Sequence, residues 1–185
     1  MTTTLGMAIL GSLARAPLTG YEITRSVKGV LHYFWHASHS QVYPELARLE
    51  AAALVQVEHI PQLGKPDQKR YTPTQAGLDA LAAWLVGPLE PTSRRSEMAV
   101  RAYCSAYAVP QQAADMFARQ AGQHAQRLAQ FEAYRAHLDS LPDHPVADLA
   151  SAEFADYSVV MRGIAMEQAQ AQWCDWMAQR LHGDR

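Results

Sequence analysis

Cysteine is scarce in this chain of 185 residues: Cys104 and Cys174 are its only two, and they stand far apart. That count excludes a disulfide framework and a zinc site built of thiolates. Each thiol reads as a small buried hydrophobe. Long apolar runs are also lacking. Stretches such as residues 7–10 and 80–86 fall far short of the roughly 20 residues that a membrane helix needs, so no membrane partner is expected. The first residues carry no basic region followed by an apolar one, and the expectation is a cytoplasmic protein without a signal peptide. Catalytic signatures are missing as well. There is no P-loop, no G-x-G-x-x-G, no G-x-S-x-G elbow and no H-E-x-x-H, so neither an enzyme nor a cofactor is expected. His32, His36 and His39 have helical spacing for a metal site, yet no acidic or cysteine ligand stands near and Ser38 interrupts the run. They read as a polar loop feeding a helix, and no metal is expected.

Apolar material, by contrast, is plentiful: 49% of the residues are hydrophobic and 18% charged. That balance suits a folded chain of one or two small domains that needs no disulfide or metal to hold it. Charge is unevenly shared. Residues 1–95 hold nine Lys and Arg against seven Asp and Glu, whereas residues 96–185 hold seven against eleven. A mildly basic first half on an acidic second half is compatible with a nucleic-acid-binding head on a non-binding body. Between them residues 87–95 concentrate Gly, Pro, Ser and Thr, so the domain boundary is placed at 90/91.

The pattern along the first half predicts three helices, a β-hairpin and a fourth helix. Leu5, Ile9 and Leu13 mark one face of a helix over 5–14. Thr19 and Glu22 form a capping box for a second helix over 20–28, which Gly29 ends. Ser38 and Ser40 can cap a third helix running to about residue 52, with Val42, Leu46 and Leu49 inward and Gln41, Glu45, Arg48 and Glu50 on the polar side. Residues 54–60 alternate as a half-buried strand, 61–67 turn, and 68–72 return. A fourth helix begins at Thr74. This is the order of a winged helix-turn-helix.

The second half reads as wholly helical. A short helix spans 98–108, and Pro110 opens a long one on which Phe117, Ala121, His124, Leu128, Phe131, Arg135 and Leu138 step by four and three. Residues 141–145 break it, and a last helix spans 152–181, with Met161 and Ile164 among its apolar positions. Two such helices with an exposed seam want a partner, and the economical one is a second copy of the chain. Phe117, Ala121, His124, Leu128, Phe131, Leu138, Met161 and Ile164 are the dimerisation candidates.

Residues 9–13 (Ile-Leu-Gly-Ser-Leu), 17–23 (Pro-Leu-Thr-Gly-Tyr-Glu-Ile), 34–50, the segment Gly64-Lys65-Pro66-Asp67-Gln68-Lys69-Arg70-Tyr71 and the Thr-Pro-Thr-Gln-Ala-Gly of 72–77 together resemble the PadR family of transcriptional regulators. The helical second half looks like the family's longer-tailed branch, which includes virulence activators. This resemblance implies a mainly α fold: an N-terminal winged helix-turn-helix with a small β-hairpin wing over 1–90, then an all-helical dimerisation and effector domain over 91–185. It implies a homodimer on a pseudopalindromic operator in double-stranded DNA, usually a repressor released by a small molecule. Where the family has glycine after the third helix, this chain has Ala53, at which a left-handed cap costs more.

On that reading the third helix enters the major groove by its first residues, which singles out Ser38, His39, Ser40, Gln41 and Tyr43. Gln41 can pair with adenine in bidentate fashion; the serines and Tyr43 suit phosphate. Tyr21 suits a phosphate or simple packing. Lys65, Lys69 and Arg70 suit backbone contacts along the wing, or a solvated hairpin tip. Trp35, Trp84, Tyr103, Tyr107, Trp173 and Trp176 suit either an aromatic effector pocket or the core. The alternatives to a repressor are an activator of the same fold and an adaptor whose degenerate winged helix binds protein.

Overall fold

The computed structural model describes residues 2–27, 39–61, 67–89 and 96–183. The expectations attached to Trp35, Ser38, Lys65, His32 and His36 lie outside them. Contacts divide the chain into two compact units, Met1–Glu90 and Pro91–Arg185.

In the first unit helices α1 (Thr4–Arg15), α2 (Gly20–Val27), α3 (His39–Ala51) and α4 (Gln75–Leu85) surround a small sheet of β1 (Leu18–Thr19), β2 (Val55–Ile60) and β3 (Gln68–Pro73). The fold is a winged helix. The sheet order is β1-β3-β2, all antiparallel. The two-residue β1 is an addition to the expected hairpin: Pro17 favours an extended entry, and Leu18 and Thr19 then pair with Tyr71 and Arg70. The core is formed by Leu5, Ile9, Leu10, Leu13, Ile23, Val42, Leu46, Leu49, Val55 and Tyr71.

Local chemistry sets the ends of these elements. Thr3 caps α1 by accepting from the Gly6 amide at 3.1 Å. The Thr19–Glu22 box forms as expected, with the Thr19 amide donating to Glu22 Oε2 at 2.8 Å and the Glu22 amide to Thr19 Oγ1 at 3.3 Å. At the end of α3, Ala53 takes φ 55°. The amide of Leu54 donates to the Leu49 carbonyl and that of Ala53 to the Glu50 carbonyl, the paired bonds of a Schellman cap. Thr74 then joins this cap to α4: its hydroxyl donates to the Ala53 carbonyl at 2.8 Å and accepts from the Gly77 amide at 3.1 Å. A Cβ on Gly77 would collide with the Leu54 carbonyl, so glycine is required there.

Two side chains depart from their expected places, the first being Cys104, which is exposed rather than buried. Glu45 is 3% exposed rather than on the solvated side of α3. It accepts from the Thr3 hydroxyl and from Arg48, both at 2.8 Å, and these bonds make a buried carboxylate tolerable.

The second unit holds α5 (Glu97–Tyr103), α6 (Pro110–Asp139) and α7 (Ala152–His182), with single 3₁₀ turns at Ser105–Tyr107 and Pro145–Ala147. The helix expected over 98–108 is thus an α-helical turn pair followed by a 3₁₀ turn. Ser151 caps α7 by accepting from the Phe154 amide at 2.9 Å. The apolar seam of α6 differs from expectation in what covers it. Phe117, Phe131, Leu138 and Ile164 are buried within the single chain, because α7 folds back along α6 and takes the stripe itself. Phe117 meets Trp173 edge to face, with ring centroids 5.7 Å apart, and packs with Cys174 and Ala178. Phe131 lies against Gly163, where a Cβ would come within 2.6 Å of its ring. His124 and Arg127 both reach Glu167, at 2.6 and 3.0 Å. Of the dimerisation candidates, Ala121, His124 and Leu128 are half-buried and Met161 is exposed. Among the described residues no helix is long and apolar enough to cross a membrane, and no cluster of metal-ligating side chains occurs.

Candidate nucleic-acid interface

Three elements meet on one side of the first unit: the start of α2, the length of α3 and the wing strand β3. They enclose a cleft of about 410 Å³ lined by residues that include Thr19, Gly20, Tyr21, Tyr43, Glu50, Gln68, Lys69 and Tyr71. The capping box fixes where α2 begins and so presents Tyr21, 63% exposed, at the rim. Tyr43 is about half exposed and lies on the backbone of Gly20, where a Cβ would come within 2.8 Å of its ring. The absence of a side chain at residue 20 therefore lets the two tyrosines share one cleft.

The wing contributes charge. Strand alternation puts Lys69 and Tyr71 on one face of β3 and Arg70 on the other. Tyr71 is buried beneath the cleft, and that burial raises its phenol pKa; Lys69 opposes the shift, while Glu50 and Tyr43 add to it. Lys69 Nζ lies 3.3 Å from Glu50 Oε2, joining the wing to the last turn of α3. Arg70 is exposed, opposite Glu58 in the sheet register. It is also one of the groups that hold the Glu22 carboxyl below its ordinary pKa, after the backbone and hydroxyl hydrogen bonds from Thr19.

The residues singled out from sequence thus fall into three sets. Tyr21, Tyr43 and Lys69 come together around the cleft. Ser40 and Gln41 are exposed on the first turn of α3, which begins at His39, and Arg70 sits on the outward face of the wing strand. Ser38 and Lys65 lie outside the described residues, as does the side chain of His39. Two contributors went unread: Gly20, whose role depends on a tyrosine far along the chain, and Glu50, whose partner is 19 residues away. No local pattern reports either contact. Chemically, this surface presents hydroxyls, an amide side chain and cations, with exposed polar groups at a helix start.

The aromatic effector candidates fall on several elements of both units. Trp84 is partly exposed near the end of α4, Tyr103 and Tyr107 are almost fully exposed, and Trp176 is half exposed. Trp173 is packed on Phe117 as part of the core. A cleft of about 300 Å³ in the second unit is lined by Ala118, Ala178, Gln179, His182 and Gly183, with none of these aromatics among them.

Comparison with known proteins agrees with the fold. Residues 9–83 match the model of the transcriptional regulator PadR-like family, and residues 94–182 match that of the virulence activator alpha C-terminal domain. The chain is 31% identical to the negative transcriptional regulator PadR of Bacillus subtilis over 173 residues, 92% of this chain and 93% of that one. The crystal structure of Bacillus subtilis PadR in complex with operator DNA is similar with a TM-score of 0.84 at 29% identity, covering 97% of this chain and 99% of that one. The complex of Bacillus subtilis PadR with p-coumaric acid is similar with a TM-score of 0.80 at 27% identity, covering 98% and 100%.

Proposed function

The chain belongs to the PadR-like family of transcriptional regulators, and from that premise we propose that it is a homodimeric repressor of a pseudopalindromic operator. The observation that carries this reading is the cleft between α2, α3 and the wing, where Tyr21, Tyr43 and Lys69 meet beside the exposed Ser40 and Gln41. In operation, α3 enters the major groove, its first turn reads base edges, and the tyrosines and wing cations hold the backbone on either side. The similarity to a negative regulator solved on its operator supports the sign of regulation.

Two copies would place two such helices on half-sites about one helical turn apart. The large apolar side chains left exposed on the second unit, Val100, Tyr103, Tyr107, Met166 and Trp176 among them, supply surface for that association. A small aromatic acid is the proposed effector class, in line with the relative solved with p-coumaric acid. Trp35 and Trp84, both in the first unit, are the side chains proposed to meet it. Release would be a population shift, the effector favouring a spacing of the heads that misfits the half-sites.

The test is fluorescence anisotropy on a labelled duplex from upstream of the protein's own coding sequence, beside a scrambled duplex, across a salt series. Tight binding to the first alone, with a steep salt dependence, is the expected result. Equal weak binding to every genomic fragment tried would transfer the reading to a protein-binding adaptor.

A further inference from the structure

The proposed DNA-facing surface carries a carboxylate where a polyanion wants cations. Glu50, in the last turn of α3, is 3.3 Å from Lys69 on the wing strand. The two side chains are 39% and 42% exposed, so the pair is open to solvent and to an approaching phosphate. Both line the cleft that Tyr21 and Tyr43 also line. An exposed pair of this kind adds little to stability, so its main consequence is for what Lys69 can do.

A lysine that meets a DNA phosphate releases a counterion, and this release drives sequence-independent binding. A lysine already neutralised by its own protein gains less. Binding must first separate Lys69 from Glu50, and the carboxylate left behind faces the same backbone and gathers a cation of its own. Net counterion release from that contact then approaches zero. Glu50 is also remote from the base-reading end of α3: nine residues separate it from Gln41, about 13 Å along the axis. Its influence falls on the electrostatic part of binding and spares the reading of bases.

We propose that Glu50 is an affinity-setting residue of the interface, competing with the DNA backbone for Lys69 and so holding down sequence-independent binding. This rests on the DNA-binding reading above.

The experiment compares wild type, Glu50→Gln, Lys69→Ala and the double variant on the scrambled duplex and on the duplex from upstream of the coding sequence, across salt. Glutamine keeps the shape and the hydrogen-bonding oxygen while removing the charge, and thermal melting verifies that the fold is unchanged. Glu50→Gln is expected to bind both duplexes about three- to tenfold more tightly at low salt, with a log–log slope steeper by about 0.9, the release expected from one phosphate. In the Lys69→Ala background the same substitution is expected to leave the slope unaltered. An unchanged slope in the single variant overturns the proposal. So does weaker binding to both duplexes, which would make the pair an anchor for the wing, and so does an equal gain without Lys69, which would reduce the effect to bulk charge. Wild type that binds neither duplex at any salt defeats the DNA reading itself and the proposal with it, a result distinguishable from wild type alone.

Discussion

The Thr3 hydroxyl donates a 2.8 Å hydrogen bond to Glu45 Oε1, tying the cap of α1 to the middle of α3 across 42 residues of chain. The same hydroxyl accepts from the Gly6 amide, and Gly6 leaves room for the carboxylate, since a Cβ there would come within 2.5 Å of Glu45 Oε1. Helix α3 is thereby pinned through the buried Glu45 side chain. Glu45→Ala should cost about 2 kcal/mol, the penalty of stranding buried partners, and Glu45→Gln, which keeps an acceptor oxygen, should cost less. Chemical denaturation of the three proteins measures both. Equal losses in the two variants would show that the charge, and not the acceptor, is what matters.

Ala53 holds the left-handed position of the α3 cap with φ 55°. A Cβ in that conformation is strained by roughly 1–2 kcal/mol, partly offset by the larger entropy glycine loses on folding. Ala53→Gly should therefore stabilise the first unit by up to about 1 kcal/mol, read as a rise of a few degrees in its melting temperature. A fall would mean that the strain is relieved elsewhere.

Glu22 accepts from the Thr19 amide and hydroxyl, and these bonds, with Arg70 adding to them, hold its carboxyl below its ordinary pKa of 4.5. A carboxylate whose pKa is depressed on folding stabilises above its unfolded pKa and loses that contribution as pH falls through the folded value. Thermal melting should thus separate wild type from Glu22→Gln near neutral pH and bring the two together as pH drops below 4.5. A separation that stays constant with pH would mean that ionisation of Glu22 is irrelevant to the cap.

In the second unit, Gly163 lets α7 approach the Phe131 ring. Gly163→Ala should destabilise the hairpin by about 1–3 kcal/mol through overpacking. Phe131→Leu in the same chain should recover part of that loss. Denaturation followed by the far-UV helical signal tests the pair; additive losses would place the strain away from this contact.

What the sequence makes legible follows from what local patterns encode. Pro110 and the apolar repeat define α6, and the Thr19–Glu22 and Thr74 caps fix the starts of α2 and α4, because each signal lies within a few residues of its effect. The capped α2, the exposed start of α3 and the wing cations are readable for the same reason. Strand β1 is hidden, since two residues carry no alternation and owe their conformation to Tyr71 and Arg70. Glu45 and Glu50 look alike in a helical projection. Only Thr3 and Lys69, distant in the chain, make one a buried tie and the other a wing partner. The heptad pattern of α6 correctly announces helix packing, but the pattern is the same whether the covering helix is α7 or a second copy.

In the proposed complex α3 reads bases while the wing holds backbone, and Gln41 separates the two roles most directly. Anisotropy of wild type, Gln41→Ala and Lys65→Ala should be measured at one fixed salt on the duplex from upstream of the coding sequence and on its scrambled counterpart. Gln41→Ala is expected to lose about 1–3 kcal/mol on the first duplex alone, collapsing the preference, while Lys65→Ala weakens both alike and preserves it. A Gln41→Ala variant that retains the full preference for the upstream duplex would overturn base reading by the start of α3.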